Sequence, residues 1–259
     1  MLNQLMRYLP ILDYIKRGQY QRILEVGSGS SGIAKYFTKR LIVGCDISFA
    51  DYGEVESPIH KNLIPIKASA ECLPFKNCSF DIVISVDMLE HIELAARENV
   101  IEELYRVAGE IVFLIFPCGE KALEYDRRLK TYYESKNRKV PKWLTEHLES
   151  KFPMEKDIIS ILDRNAFEYE VKNNENLVVH YLIMILESLP NLSRYLTIIA
   201  NLIGQEEFGK GKCFLIVRII KHILRPLRNL LKVLNFGVTY RKIFIIKKNS
   251  KLIDHKQRR

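Results

Sequence analysis

The chain has 259 residues, 47% of them hydrophobic and 27% charged, with a formal net charge of +9. This ordinary globular composition excludes a disordered or fibrous protein and allows one large domain, or one domain with an insertion. The charge is uneven: residues 209–259 carry a net +14 and the other 208 residues a net −5, so a mildly acidic domain is followed by a basic fifth suited to an anionic contact.

The five cysteines, Cys45, Cys72, Cys78, Cys118 and Cys213, form no CxxC pair. That pattern argues against a disulfide scaffold or a zinc ribbon and points to a reducing cytoplasm. No HxxxH or carboxylate cluster of clear metal spacing is present, so no metal is expected.

In chain order, residues 1–22 predict an amphipathic first helix and not a signal peptide. Short apolar runs at 22–26, 41–45, 64–68, 80–86 and 110–116 predict strands, with helices over 33–40 and 89–108 between them. Near-continuous apolar strands separated by helices imply a parallel sheet covered on both faces. Its ligand would sit beyond the carboxyl ends of the strands. Residues 120–163 predict helices with breaks near Lys136 and Pro141. A sixth strand is predicted over 167–172 and a seventh over 240–248, with helices at 178–189, 195–203 and 213–234 between them.

The first strand runs into a glycine turn, Glu25-Val-Gly27-Ser28-Gly29-Ser-Ser-Gly32. Glycines permit a tight turn and a close ligand approach, and the N–H groups of a following helix suit an anionic group. Asp46 ends the next strand, 19 residues after Gly27. A carboxylate at that place accepts both hydroxyl protons of a ribose. A nucleoside-containing cofactor follows, either a dinucleotide or S-adenosylmethionine. Glu25 bears on the choice, because a carboxylate would repel a pyrophosphate and suits a sulfonium and an ammonium.

The stretch resembles the first motif of class I S-adenosylmethionine-dependent methyltransferases, E/DxGxGxxG. ASAECLPFKNCSFDIVISVDMLEHI (68–92) resembles the adenine-side loop, fourth strand and next helix of their type-11 branch, and the likeness covers about residues 20–117. The resemblance implies a single Rossmann-like α/β domain over 1–259, with a core at 18–117 and a seven-stranded, mostly parallel sheet. The last two strands would be antiparallel and flank a helical cap at 176–238. It also implies that Glu25, Gly27, Ser28, Gly29 and Gly32 face the methionyl part, and that Asp46 holds the ribose with Ile47 against the adenine. Ser69, Ala70 and Glu71 would line the adenine edge, and Ser85, Val86 and Asp87 would close the pocket. Ser69 departs from the aspartate that many relatives carry there. The Asn-Pro-Pro-aromatic motif of adenine and glutamine N-methyltransferases is absent, since the position reads Asp87-Met-Leu-Glu90.

The expected reaction is methyl transfer to an O, N or C atom of a small-molecule or lipid-linked acceptor. His91 is the candidate base, or else a local packing residue. His147 has Glu146 beside it, but adjacent helical residues do not share a face. Tyr132, Tyr133 and Trp143 are pocket or core residues. The alternatives are an NAD-dependent oxidoreductase and a non-catalytic module with a basic partner-binding tail. Over 213–234 the polar residues Arg218, Lys221, Arg225, Arg228 and Lys232 recur at helical spacing opposite an apolar face. Such a helix either lies on an anionic membrane or packs as a cap, with Pro226 kinking or dividing it. Few aromatics interleave the basic face, which argues against nucleic acid. The expected location is cytoplasmic, with a peripheral place at the membrane as an option.

Overall fold

The structure, a computed structural model, describes residues 1–50, 58–205 and 214–248. Each predicted run is a strand: β1 (Ile23–Val26), β2 (Ile42–Asp46), β3 (Leu63–Lys67), β4 (Phe80–Val86), β5 (Ala108–Pro117), β6 (Glu168–Asn176) and β7 (Thr239–Lys247). They form one sheet in the order β3-β2-β1-β4-β5-β7-β6. Strands β1 to β5 are parallel, and β7 is antiparallel to β5 and β6. Along β5, Ile111, Phe113 and Ile115 face one layer while Val112, Leu114 and Phe116 face the other. This is the period-2 alternation of a strand buried on both sides.

Helices cover both faces. α1 (Leu2–Arg17) and three later helices, α6 (Leu177–Glu187), α7 (Pro190–Gly204) and α8 (Phe214–Val233), lie on one. α2 (Arg97–Val107) and α5 (Glu155–Arg164) lie on the other. Leu5, Leu9, Leu12 and Ile15 recur at steps of three and four, which gives α1 one apolar face against β1 and β5. Each such side chain stabilises the fold by about 1.5–3 kcal/mol when fully buried. Pro10 lies inside α1 and deprives Met6 O of its helical partner. Asn174 Nδ2 donates to that carbonyl at 3.4 Å, so β6 satisfies what the proline leaves open. Beyond β5 come α3 (Gly119–Ser135) and α4 (Lys142–Glu149).

Three expectations change. The helix expected over 33–40 is a 3-10 turn, Gly32–Tyr36. Ile33, Ala34, Tyr36 and Phe37 are all buried, so the segment has no single polar face on which an α-helix could continue. The helix expected over 89–108 is a 3-10 turn, Leu89–His91, then α2 from Arg97, with β5 starting directly at Ala108. Helix α8 runs on through Pro226 and is not divided there.

The helices between β6 and β7 are α6–α8. In α8, Arg228 Nη2 bonds Asp13 of α1 at 2.8 Å and Lys232 pairs with the same carboxylate. Part of the expected basic face therefore pins the helix to the domain. Arg225 and His222 stay exposed, and the side chains of Arg218 and Lys221 lie outside the described residues, as does Cys213. No single described helix is long and apolar enough to cross a membrane. α6 and α7 together meet the length and composition of a span but bend by 118° between them.

Candidate active site

The register sets the ends of β1, β2 and β4 side by side, with Val26 opposite Cys45 on one side and Ser85 on the other. Their carboxyl-terminal turns therefore share one rim. At the β1 end, Gly27, Gly29 and Gly32 have φ of 77°, 53° and 45°, a region closed to most side chains. Gly27 N–H bonds Cys45 O at 2.8 Å, which ties the turn to β2. Ser28 is buried and bonds back to Gly29 O at 3.0 Å.

Glu25 departs from expectation. Its carboxylate is fully buried beneath the turn instead of facing a ligand. Oε1 accepts from Tyr8 Oη and Oε2 from Ile33 N–H, both at 2.6 Å. A Cβ on Gly32 would lie 2.0 Å from Oε2, so glycine is required where the acid passes under the turn. Burial pushes the Glu25 pKa from 4.5 up to about 7, against the two hydrogen bonds and the nearby Lys35. The acid thus shapes the turn and occupies the Ile33 N–H that an anion would otherwise use.

Asp46 stands where the sequence places it. Oδ2 accepts from Gly29 N–H at 2.8 Å and Oδ1 from Ser48 N–H at 3.1 Å. A carboxylate has about four acceptor positions, so capacity remains for hydroxyl donors. Ile47, next to it, is 69% exposed, an apolar surface with nothing over it among the described residues. Ala68 N–H bonds Asp46 O at 3.1 Å, which brings the 69–71 loop alongside. Ser69 and Glu71 are exposed and Ala70 is buried; Ser69 Oγ accepts Glu71 N–H at 3.2 Å.

At the β4 end, Ser85 and Val86 are buried, and Ser85 Oγ reaches Met88 Sδ at 3.8 Å, so neither side chain lines open space. Met88 does: a Cβ on Gly27 would lie 2.8 Å from its Cβ, which places its side chain against the glycine turn. Asp87 sits at φ 48° and is held by two arginines. Arg241 Nε and Nη2 grip it at 2.8 Å each, and Arg7 Nη1 approaches to 2.5 Å. Burial opposes its ionisation, but Arg241 and then Arg7 hold the Asp87 pKa below the usual carboxylate range. Arg241 also pairs with the buried Glu175, which lies 3.2 Å from His180 Nδ1.

A second polar cluster follows. Glu90 is 1% exposed, and neither carboxylate oxygen has a hydrogen-bond partner among the described residues. Burial, and after it the charge of Asp87, raises its pKa well above the usual range. His147 Nε2 lies 3.8 Å from Glu90 Oε1. His147 Nδ1 is 3.0 Å from Asp126 Oδ2, and Tyr240 Oη donates to that carboxylate at 2.8 Å. His91 is exposed, with its ring 5.5 Å from that of His147. Tyr132, Tyr133 and Trp143 pack with Leu129, Leu144 and Met184 as a satellite core. Arg7, Met88, Glu90, Asp126 and Arg241 carry no local sequence signal, because their partners lie elsewhere in the chain.

Residues 24–115 match the family model of the methyltransferase domain, type 11. That segment is similar to the methyltransferase domains the model describes. The chloroplastic tocopherol O-methyltransferase of Arabidopsis thaliana is 25% identical over 166 residues, covering 55% of this chain and 45% of the relative. The chain thus spans less than half the length of that relative. A solved structure from Galdieria sulphuraria, described as a candidate sarcosine dimethylglycine methyltransferase, has a TM-score of 0.50 at 13% identity, covering 94% of this chain and 85% of that one. At that identity the likeness bears on the fold alone, which is the Rossmann-like class I fold. An S-adenosylmethionine-dependent methyltransferase from Thermotoga maritima has a TM-score of 0.48 at 17% identity, over 96% of this chain and 92% of that one.

The residues present fit the cofactor. A Cβ on Gly29 would meet nothing within 4 Å, so the turn opens onto free space. Asp46 and the bare face of Ile47 border it, as the ribose and base require.

Proposed function

We propose that the whole protein is an S-adenosylmethionine-dependent methyltransferase acting on a small-molecule or lipid-linked acceptor. The observation that carries the reading is the open glycine turn bound to Asp46 at the rim of β1 and β2. When bound, the cofactor supplies an electrophilic methyl group to an O, N or C atom. The chain's own part is alignment and exclusion of water. Gly27 and Gly29 let the backbone approach, Asp46 accepts hydroxyl protons, and Ile47 offers an apolar face. Ser69, Ala70 and Glu71 border the base, and Met88 packs beside the turn. His91 is the candidate base on this reading if the acceptor must lose a proton. The activity named for the relative from Arabidopsis thaliana supports oxygen as the acceptor atom.

Lipid is the favoured acceptor class. Val178, Leu182 and Leu186 of α6 are exposed at steps of four, and Tyr195 and Ile198 of α7 are exposed at a step of three. Ile223 and Leu230 of α8 are exposed near Arg225. Apolar stripes with basic neighbours suit a peripheral contact with an anionic membrane from the cytoplasmic side. Few aromatics interleave the basic face of 213–234, so nucleic acid is not the favoured partner.

Calorimetric titration with S-adenosylmethionine and, separately, NADH tests the reading. Saturable binding of the first alone, weakened at least about 100-fold in Asp46→Ala, is expected; that corresponds to about 2.7 kcal/mol. Binding of NADH would replace it with the oxidoreductase. Binding with no methyl transfer to any membrane-extract acceptor would favour the non-catalytic module. Absence of co-sedimentation with anionic vesicles at low salt would remove the membrane contact.

A further inference from the structure

The LEHI segment and α4 bring three metal-ligand types of side chain together. Glu90 Oε, a ring nitrogen of His91 and a ring nitrogen of His147 all lie within 4.8 Å of one another. We propose that Glu90, His91 and His147 bind a divalent transition-metal ion, zinc being the first to test.

Two independent observations point to a ligand there. The first is the Glu90 carboxylate, 1% exposed and without a hydrogen-bond partner among the described residues. A buried carboxylate with neither oxygen satisfied is costly, and a cation would compensate it. The second is the His147–Asp126 contact at 3.0 Å. Asp126 thus lies on the Nδ1 side of the ring, while Nε2 is the nitrogen 3.8 Å from Glu90 Oε1. A carboxylate behind a ligating imidazole is the usual second tier of a metal site. Tyr240 Oη donates to the same carboxylate at 2.8 Å and fixes its orientation.

Two imidazoles and one carboxylate suit zinc, iron, cobalt or manganese better than magnesium or calcium. Ligand atoms around a metal at about 2.1 Å stand about 3.4 Å apart in tetrahedral geometry. The present Glu90–His147 separation of 3.8 Å closes to that by small side-chain rotations. His91 is exposed, so the remaining coordination position is reached from solvent. Three protein ligands with one open position form a catalytic type of site, which could receive an acceptor oxygen. His91 then acts as a ligand and not as a base.

The test reads metal and not turnover, so its failure leaves the methyl-transfer reading standing. The full chain is stripped with a chelator, dialysed, and titrated with Zn²⁺ by calorimetry and with Co²⁺ by visible absorption. One equivalent should bind, with the d–d bands of a four- or five-coordinate cobalt. Affinity should fall at least about 100-fold in His91→Ala and in Glu90→Gln, and about 10–100-fold in Asp126→Asn. His91 is exposed, so its variant is expected to fold, and Glu90→Gln keeps the volume. Lack of stoichiometric uptake at micromolar metal would overturn the proposal. Equal uptake by wild type and Glu90→Gln would also overturn it, since the ion would then sit on surface histidines.

Discussion

The carboxyl ends of β1 and β4 each carry an acid largely withdrawn from solvent, Glu25 inside the strand and Asp87 just past it, and the two are treated in opposite ways. Glu25 receives two uncharged donors, Tyr8 Oη and Ile33 N–H, and burial pushes its pKa up to about 7. Asp87 receives two guanidinium groups, from Arg241 and Arg7, and its pKa falls despite burial. Depth alone therefore does not decide charge; the partner does. Both partners on the α1 side are neighbours in sequence, Arg7 and Tyr8, so one turn of one helix holds both strand ends.

The largest effect should come from breaking the charged side. Asp87→Ala leaves Arg241 buried with only Glu175 as carboxylate partner, and Arg241→Ala leaves Asp87 with Arg7 alone and Glu175 with only His180 beside it. Each should lower the unfolding free energy in urea by about 3–5 kcal/mol, the usual cost of removing one partner of a buried pair.

Next comes a pair of glycine substitutions. Gly32→Ala forces a Cβ to 2.0 Å from Glu25 Oε2 at φ 45° and should cost about 1–3 kcal/mol of stability. Gly29→Ala, at φ 53° in open space, should cost only about 1 kcal/mol yet weaken S-adenosylmethionine binding more than Gly32→Ala does per unit of stability lost. Equal binding losses in both would remove the distinction between a structural and a ligand-facing glycine.

The neutral side is broken by pH. The folded pKa of Glu25, about 7, lies above its ordinary 4.5, so the folded chain holds that proton more tightly than the unfolded one does. Its contribution is complete below pH 4.5 and is lost as pH rises through about 7. The stability of wild type minus that of Glu25→Gln should therefore fall across this window by at most about 3 kcal/mol, measured by urea unfolding at each pH. The smallest effect is Tyr8→Phe, which removes one hydrogen bond and should cost about 1 kcal/mol. It should also raise the Glu25 pKa further, moving that window upward.

The seven strands were legible because β-branched runs between turns mark a doubly covered sheet, and the helices between the last two strands were legible from their apolar spacing. The turn after β1 was legible as a glycine turn with an acid. The direction of Glu25 was not, because burial by Tyr8 comes from a helix 17 residues upstream in the chain. The short 3-10 turns were hidden by apolar spacing that also suits a helix. Asp87 with Arg241, 154 residues apart, and His147 with Asp126, 21 apart, meet only through the strand order and the packing of α3 on α4. Sequence spacing therefore gave no hint of a Glu90–His91–His147 cluster.

Among the described residues, β6 has a single sheet neighbour, β7, and β7 also supplies Arg241. During synthesis the ribosome delivers β6 and helices α6, α7 and α8 before this strand exists. Until residues 239–247 emerge, β5 keeps an open edge, β6 has no ladder, Glu175 lacks Arg241, and Asp87 has Arg7 alone. Strand insertion and charge neutralisation are then one event. A nascent chain halted before that point would expose both faults together, which makes the arrival of β7 a checkpoint for quality control.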